Sequence, residues 1–313
     1  MPSSTYAWLS FNKKQPVVCR PALPKDTPDI MELTRTIWEG EDYVPAVWNE
    51  WLEEYEGLLA VAELGGRVVG TGKLTRFSPF DWWLEGLRVH PDLQGRGIAS
   101  HLHDYLFNYW LRTGQGILRL ATASFRLAVQ HMAERSGFSK VGEFTAYTAP
   151  VLDGESPQFT PLAPTGVSEA LDFAYHSQSF ALSHYLMDLG WQWTAAHETY
   201  FTEAAGQQAA WWWRGRRGLL VAWGDRESPV PRQIISVAAC QLIDLVALLT
   251  DYRVLVGKAG FPETAWSAPL HEKLIPILDQ AGFSRDWEDA VYVYAREHPS
   301  KPASGRNSNP DPL

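Results

Sequence analysis

The sequence predicts an α+β protein built from two tandem units, each a mixed central sheet flanked by helices, the second a degenerate copy of the first. Three observations carry this. At 313 residues the chain exceeds the commonest domain size of about 100–150 residues. Strand-like and helix-like periodicities then succeed one another along the first half as strand, two helices, hairpin, strand, helix, strand, helix, strand, an order that suits a mixed sheet. Finally, the second half echoes the first. Met132-Ala-Glu-Arg-Ser-Gly-Phe-Ser139 is matched by Leu278-Asp-Gln-Ala-Gly-Phe-Ser284, with Gly137 and Gly282 145 residues apart. Leu59-Ala-Val-Ala before Gly65-Gly66 resembles Ala210-Trp-Trp-Trp before Gly215, with Gly66 and Gly215 149 residues apart. Two echoes at nearly one offset point to an internal duplication.

Each element has a local reason. Val17–Arg20 reads as a short strand. Lys25–Trp38 reads as a helix with Asp26 and Asp29 in its first turn, and Pro45–Tyr55 as a second helix opening on proline. Leu58–Leu64 and Arg67–Phe77 flank a Gly-Gly turn and form a hairpin. Trp82–Val89 is the next strand. A helix follows from about Gly97 to Thr113, with Ile98, Leu102, Leu106 and Tyr109 on one stripe. Ile117–Thr122 is a strand, Phe125–Ser136 a helix ending at Gly137, and Lys140–Ala149 a strand. Residues 151–165, with Gly154, Pro157, Pro161 and Pro164, read as a linker between a first domain over 1–150 and a second over 166–297. In the second domain the strand Gln233–Ala239 runs into a helix over Cys240–Asp251 with no glycine-rich loop between them. From His298 on, a polar Pro/Ser/Asn-rich stretch reads as a disordered tail over 298–313.

Composition narrows the function. A net charge of −9 and the lack of a Lys/Arg-rich stripe argue against nucleic acid as a partner. No apolar run approaches the roughly 20 residues of a membrane span, and the first residues lack the basic and apolar regions of a secretion signal. The expected location is the cytoplasm, and the expected assembly is a monomer or homodimer. Cys19 and Cys240 make no metal or redox spacing, so no metal is expected and both read as small buried hydrophobes. The 15 tryptophans, Trp211-Trp212-Trp213 among them, read chiefly as core packing.

The most informative run is Leu87-Arg88-Val89-His90-Pro91-Asp92-Leu93-Gln94-Gly95-Arg96-Gly97-Ile98-Ala99. It is a strand, a turn crowded with Gly and Arg, and a helix start. Such a turn leaves consecutive N–H groups at a helix N-terminus, where donors and helix dipole together suit a phosphate. Glycine at 95 and 97 removes the Cβ atoms that would hold an anion away. No Gly-Lys-Ser/Thr follows, and the third glycine of a dinucleotide fingerprint is missing.

Gln94-x-x-Gly97-x-Ala99, together with Leu87-x-Val89, resembles the coenzyme A pyrophosphate loop of the GCN5-related N-acetyltransferase (GNAT) superfamily. The resemblance implies two tandem GNAT-like domains, with the first one catalytic and the second unable to hold coenzyme A. It implies acetyl-CoA as cosubstrate, main-chain contacts from Leu87, Arg88 and Val89 to the pantetheine arm and thioester, and a pyrophosphate cradle from Gln94, Gly95, Arg96, Gly97, Ile98 and Ala99. A carboxylate on the same strand suits the base that takes the proton from an acceptor ammonium, and Glu85 is that candidate. Simple alternation puts it on one face with Leu87 and Val89. The tyrosine and asparagine that family members carry on the following helix align with Ala133 and Arg126. The general acid therefore stays open among Ser124, His131, Tyr147 and water. Residues 37–45 with Glu85–Val89 further resemble the histidine N-acetyltransferase group, whose members carry a second, degenerate half. That likeness implies an acceptor site where Asp42 and Glu85 receive an α-ammonium and Trp38 and Tyr43 shape the pocket; Asp42 also reads as a cap for the next helix. The expected partner is a small-molecule amine, such as a free amino acid. A non-catalytic sensor of CoA thioesters, or transfer of a longer acyl group, are the alternatives.

Overall fold

The structure, a computed structural model of the chain, describes residues 16–155, 158–226 and 229–299. The chain forms two compact units, one of Met1–Leu120 with Ala295–Leu313, the other of Ala121–Tyr294. The expected start-of-chain features and residues 300–313 of the expected tail lie outside the described residues.

The first unit opens with β1 (Val18–Pro21), α1 (Thr27–Thr34) and α2 (Val44–Glu53). The first helix is shorter than its sequence pattern predicts. It ends at Thr34, and Trp38 and Glu39 beyond it adopt left-handed backbone angles, with φ of 49° and 60°, which no α-helix accommodates. Then follow β2 (Leu58–Leu64), β3 (Arg67–Ser78), β4 (Asp81–Val89), α3 (Ile98–Thr113) and the start of β5 (Ile117–Ala123). The strand order is β1-β2-β3-β4-β5, antiparallel except for the parallel β4–β5 pair. On one face α1 and α2 bury Ile30, Trp48 and Trp51 against Leu59, Val61 and Val68. Burying an apolar side chain of that size contributes about 1.5–3 kcal/mol. On the other face α3 buries Ile98, Leu102 and Leu106. The buried stripe of α3 continues to Trp110 rather than to Tyr109, which is half-buried. Residues from Ala295 return to this unit: Arg296 lies 5.0 Å over Phe107, the His298 ring is 4.8 Å from Trp110, and the His298 amide donates to Gly116 O at 2.8 Å. His298 is thus buried and ordered by contacts, where the sequence suggested the onset of a tail.

The second unit contains the end of β5, then α4 (Leu127–Arg135) and β6 (Ser139–Pro150). Next come β7 (Phe159–Pro161), α5 (Val167–Tyr175), α6 (Gln178–Ala181), the small hairpin β8 (Leu186–Asp188) and β9 (Trp193–Ala195), and α7 (Glu198–Gly206). The unit is completed by β10 (Ala210–Trp213), β11 (Gly218–Asp225), β12 (Arg232–Cys240), α8 (Leu242–Lys258), β13 (Glu263–Pro269), α9 (Ile275–Gln280), β14 (Ser284–Arg285) and most of β15 (Val291–Glu297). Its strand order is β15-β6-β13-β12-β11-β10-β7, with β14 on β6. The proline-rich stretch read as a linker contributes β7, an edge strand on β10, the position where proline is tolerated. Trp212 and Trp213 are core residues, as packing predicts. Cys240 ends β12, and α8 starts two residues later and runs to Lys258.

The halves share one distinctive feature. β4 pairs in parallel with β5 over Asp81–Leu84 and Ile117–Leu120 only, then continues through Glu85–Val89 beyond that pairing. Likewise β12 pairs with β13 over Arg232–Ile235 and Glu263–Trp266, then continues through Ser236–Cys240. Among the described residues no helix is long and apolar enough to cross a membrane.

Candidate active site

The glycine-rich run forms an open turn. After β4, Pro91–Leu93 make one 3-10 turn, and Gly95 and Gly97 take φ of +75° and +77° before α3 begins. A Cβ at either glycine would meet nothing within 4 Å. Gln94, Gly95, Arg96 and Gly97 are exposed, Ile98 is buried as the first anchor of α3, and Ala99 is half-buried. The first amide of this stretch to find an acceptor is that of His101, on Gly97 O at 3.0 Å. Among the described residues, the amides of Gly95 to Ser100 donate no hydrogen bond. They form the row of unpaired donors and the helix dipole that together suit a diphosphate. His90 braces the turn from the strand side: its Nδ1 accepts from the Asp92 amide at 3.3 Å, and burial lowers its pKa.

The start of α8 shows what the second half does with the same position. There the Leu242 amide donates to Gln178 Oε1 at 3.1 Å and the Cys240 amide to Ser179 Oγ at 2.8 Å. The Ser179 hydroxyl in turn reaches Ala238 O at 2.7 Å. Side chains of α6 therefore take two amides at this junction, those of Cys240 at the end of β12 and Leu242 at the start of α8.

The β4 strand is not regular, and this corrects one expectation. Its register on β3 pairs Glu85 with Lys73 and Arg88 with Thr71, so β4 carries one extra residue between them. This is a β-bulge, and Gly86 provides it with φ of +62°. Directly paired residues share a face, so Glu85 and Arg88 share one. The Gly86 backbone meets Trp51 of α2, and Val89 pairs with Gly70, whose missing Cβ makes room for Leu102 and Ile98 of α3. Glu85 and Arg88 thus face α1 and α2, whereas Leu87 and Val89 face α3. Simple alternation put Glu85 with Leu87 and Val89; the bulge moves it to the other side.

On that side a small polar cluster assembles. The Thr75 hydroxyl donates to Glu85 Oε1. Lys73, fully buried, pairs with Glu54 Oε2 at 2.5 Å. Arg88 makes a two-point bond to Asp42, Nε to Oδ2 at 2.8 Å and Nη2 to Oδ1 at 3.0 Å. The Asp42 carboxylate is 1% exposed and also accepts from the Val44 amide at 3.2 Å. Asp42 thus anchors Arg88 and accepts from the first amide of α2, so both of its oxygens already carry partners within the protein. The Arg88 guanidinium lies 4.3 Å over the ring of Trp38 and 5.2 Å over that of Tyr43. Both rings remain partly exposed. The Tyr43 hydroxyl turns inward, where burial first and the Glu85 charge second push its pKa up to about 12 and a Gly86 backbone hydrogen bond opposes them.

The candidates for the general acid fall in the second unit. Ser124 donates to Asp289 and accepts from the Ala290 amide, Tyr147 is buried in the core, and His131 is exposed on α4. Cys240 is buried as expected, whereas Cys19 is only half-buried; burial pushes both thiols up, Cys19 to about 11 and Cys240 to about 12. The residues that sequence reasoning missed are Thr75 and Lys73, for which only the unread bulge was a signal.

Comparison with known proteins agrees with this geometry. Residues 27–138 match the Acetyltransferase (GNAT) family. Histidine N-acetyltransferase of Scomber australasicus is 32% identical over 82 residues, 26% of this chain and 24% of that protein. The Xenopus tropicalis protein of the same name is 31% identical over 85 residues, 27% of this chain and 26% of that one. The match thus spans about a quarter of those relatives' own length. Among solved structures, a GCN5-related N-acetyltransferase from Sphaerobacter thermophilus superposes with a TM-score of 0.61 at 12% identity, covering 90% of this chain and 95% of that one. A tandem GNAT protein from the clavulanic acid biosynthesis pathway gives 0.54 at 13% identity, covering 92% of this chain and 100% of the other. The fold is that of the tandem GNAT proteins, and over residues 27–138 the chain carries a domain of the acetyltransferase (GNAT) family.

Proposed function

We propose that the protein is an N-acetyltransferase that moves an acetyl group from acetyl-CoA to the primary amine of a small molecule, with a free amino acid as the leading acceptor class. The observation that carries this reading is the row of amides from Gly95 to Ser100 without internal acceptors, at the start of a 16-residue helix. The residues fit a CoA diphosphate: the glycines at 95 and 97 leave open space where side chains would stand, and Arg96 beside them is exposed. Leu87, Arg88 and Val89 would offer main-chain groups to the pantetheine arm from the stretch of β4 beyond its pairing with β5. Acetyl-CoA supplies the activated thioester carbonyl.

Glu85 is the base in this reading. Its carboxylate takes a proton from the acceptor ammonium, which frees the nitrogen lone pair for attack on the carbonyl carbon. The C–S bond then breaks, the attacking nitrogen gives up its second proton to water as the amide forms, and the departing sulfur is protonated by water or by a group outside this cluster. The Thr75 hydroxyl holds Glu85 Oε1, which fixes the orientation of the acid. Trp38 and Tyr43 form the wall of the acceptor pocket, and Arg88 with Asp42 stands behind them. The names of the relatives support histidine as the first acceptor to try.

The test is to incubate the protein with acetyl-CoA and an amino-acid panel and follow free thiol. Amine-dependent release is expected, together with a loss of turnover in Glu85→Gln while CoA binding by calorimetry persists. Binding without release for every amine would count against catalysis and favour a thioester sensor. Mass spectrometry of the product distinguishes acetyl from longer acyl transfer.

A further inference from the structure

Trp38 poses a problem that neither burial nor backbone preference solves. Trp38, Glu39 and Gly40 are three successive residues with positive φ, of 49°, 60° and 96°. Left-handed backbone disfavours residues with a Cβ, large ones above all. Yet the side chain so held is not tucked away, for Trp38 stays 45% exposed. Strain of this kind persists only where surrounding contacts impose it, and it concentrates at functional sites.

Arg88 supplies those contacts. Its guanidinium spends Nε and Nη2 on Asp42 and Nη1 on Leu87 O at 3.1 Å. The Asp42 carboxylate neutralises the charge, so this arginine is poorly suited to receive an anionic ligand. What it presents is a flat, rigid surface, and that surface lies under Trp38 and Tyr43. The two rings stack on each other with centroids 6.5 Å apart, and Tyr43 meets Trp51 edge-on at 6.1 Å. Trp51 in turn contacts the Gly86 backbone. Indole, guanidinium and phenol therefore make one braced wall on the face of β4 that also bears Glu85.

We propose that Arg88 is a positioning residue for acceptor selectivity: through its paired contact with Asp42 it holds Trp38 in its strained, exposed pose, so that the site favours amines whose side chain is planar or apolar over amines with none. This rests on the reading of Glu85 and β4 as the acceptor site. Arginine is required there because only its planar fork can bond a carboxylate at two points and stack on a ring at once; lysine keeps the charge and loses both.

The experiment measures kcat and KM for acetyl-CoA, for histidine and for glycine in wild type, Arg88→Lys, Asp42→Asn and Trp38→Ala. In the wild type histidine is expected to be preferred over glycine. In each variant the histidine-to-glycine ratio of kcat/KM should fall by about tenfold or more, the scale of one lost packing contact in a specificity pocket. The loss should sit mainly in the KM for histidine and exceed any change in the KM for acetyl-CoA. A ratio that stays within twofold of wild type in all three variants overturns the proposal, even if overall activity falls. So does a wild type that acetylates glycine as well as histidine. Trp38→Ala changes an exposed side chain and keeps the test available if an Arg88 variant fails to fold. A wild type that acetylates no amine overturns the proposed function along with this one, whereas an active wild type with an unmoved ratio removes only the inference.

Discussion

Replacing Gly86 by alanine tests the bulge on which the site geometry depends. Two costs arise. Gly86 has a φ of +62°, and an L-residue in that region loses roughly 1–2 kcal/mol. The new Cβ would also stand 2.7 Å and 2.8 Å from Cη2 and Cζ3 of Trp51. Trp51 is only 7% exposed and is boxed in by the core of α1, α2 and β2. It has little room to retreat, and overpacking of this kind costs about 1–3 kcal/mol. Together they destabilise the first unit by about 2–5 kcal/mol, which lowers its melting temperature by about 5–15 °C. Gly97→Ala is the control: its φ is +77° but nothing lies within 4 Å of the added carbon, so only the backbone cost applies. Scanning calorimetry of both variants separates the two contributions. If Gly86→Ala melts no lower than Gly97→Ala, the packing of Trp51 on the bulge is refuted. The assignment of Glu85 and Arg88 to one face would then lose its support.

Other expectations follow from single contacts. Thr75→Val removes the hydroxyl that donates to Glu85; kcat/KM should fall, with its acid limb moved to higher pH, and Thr75→Ser should restore both. An unmoved pH profile denies Thr75 a role in holding the acid. Burial lowers the pKa of His90, outweighing the nearby Asp92 and Glu32 that favour its charged form. The unfolded imidazole therefore binds a proton that the folded one sheds, so His90 contributes stability above about pH 6.5 that is lost as pH falls below it. His90→Asn keeps an acceptor near the Asp92 amide and should flatten thermal stability below about pH 6.5; identical slopes for the two proteins contradict this. His298→Ala removes the ring packed on Trp110 and its contact with Leu111 O at 3.1 Å. It should cost about 1–3 kcal/mol in urea unfolding, and a loss below 0.5 would show that the return of the chain to the first unit contributes little.

Much of the fold was legible in the chain. Gly65-Gly66 and Gly215 mark hairpins because only short, glycine-bearing turns join such strands, and β2–β3 and β10–β11 are those hairpins. The loop before α3 was readable for the same reason: glycines at 95 and 97 next to an amphipathic stripe need no distant partner to be recognised. The contrast between halves was visible as well, since no glycine precedes α8. What failed were steps that assumed regularity. The helix expected to reach Trp38 stops at Thr34, and the chain beyond it takes left-handed angles at Trp38 and Glu39 that no helical periodicity foretells. Alternation along β4 failed at Gly86, whose one extra residue turns Glu85 to the opposite face. Asp42 had the spacing of a cap and the chemistry of an ammonium receptor; its ion pair spans 46 residues and no local pattern contains it.

The sequence by itself determined the element order, the duplication and the open turn before α3, because hydrophobic period, turn chemistry and helix-end donors all act within a few residues. Only the tertiary structure decided which face Glu85 takes, that Asp42 pairs with Arg88, and that α6 takes the Cys240 and Leu242 amides beside α8. Those outcomes depend on side chains that meet across strands and helices, where a single inserted residue reverses a face and a single buried partner consumes a charge.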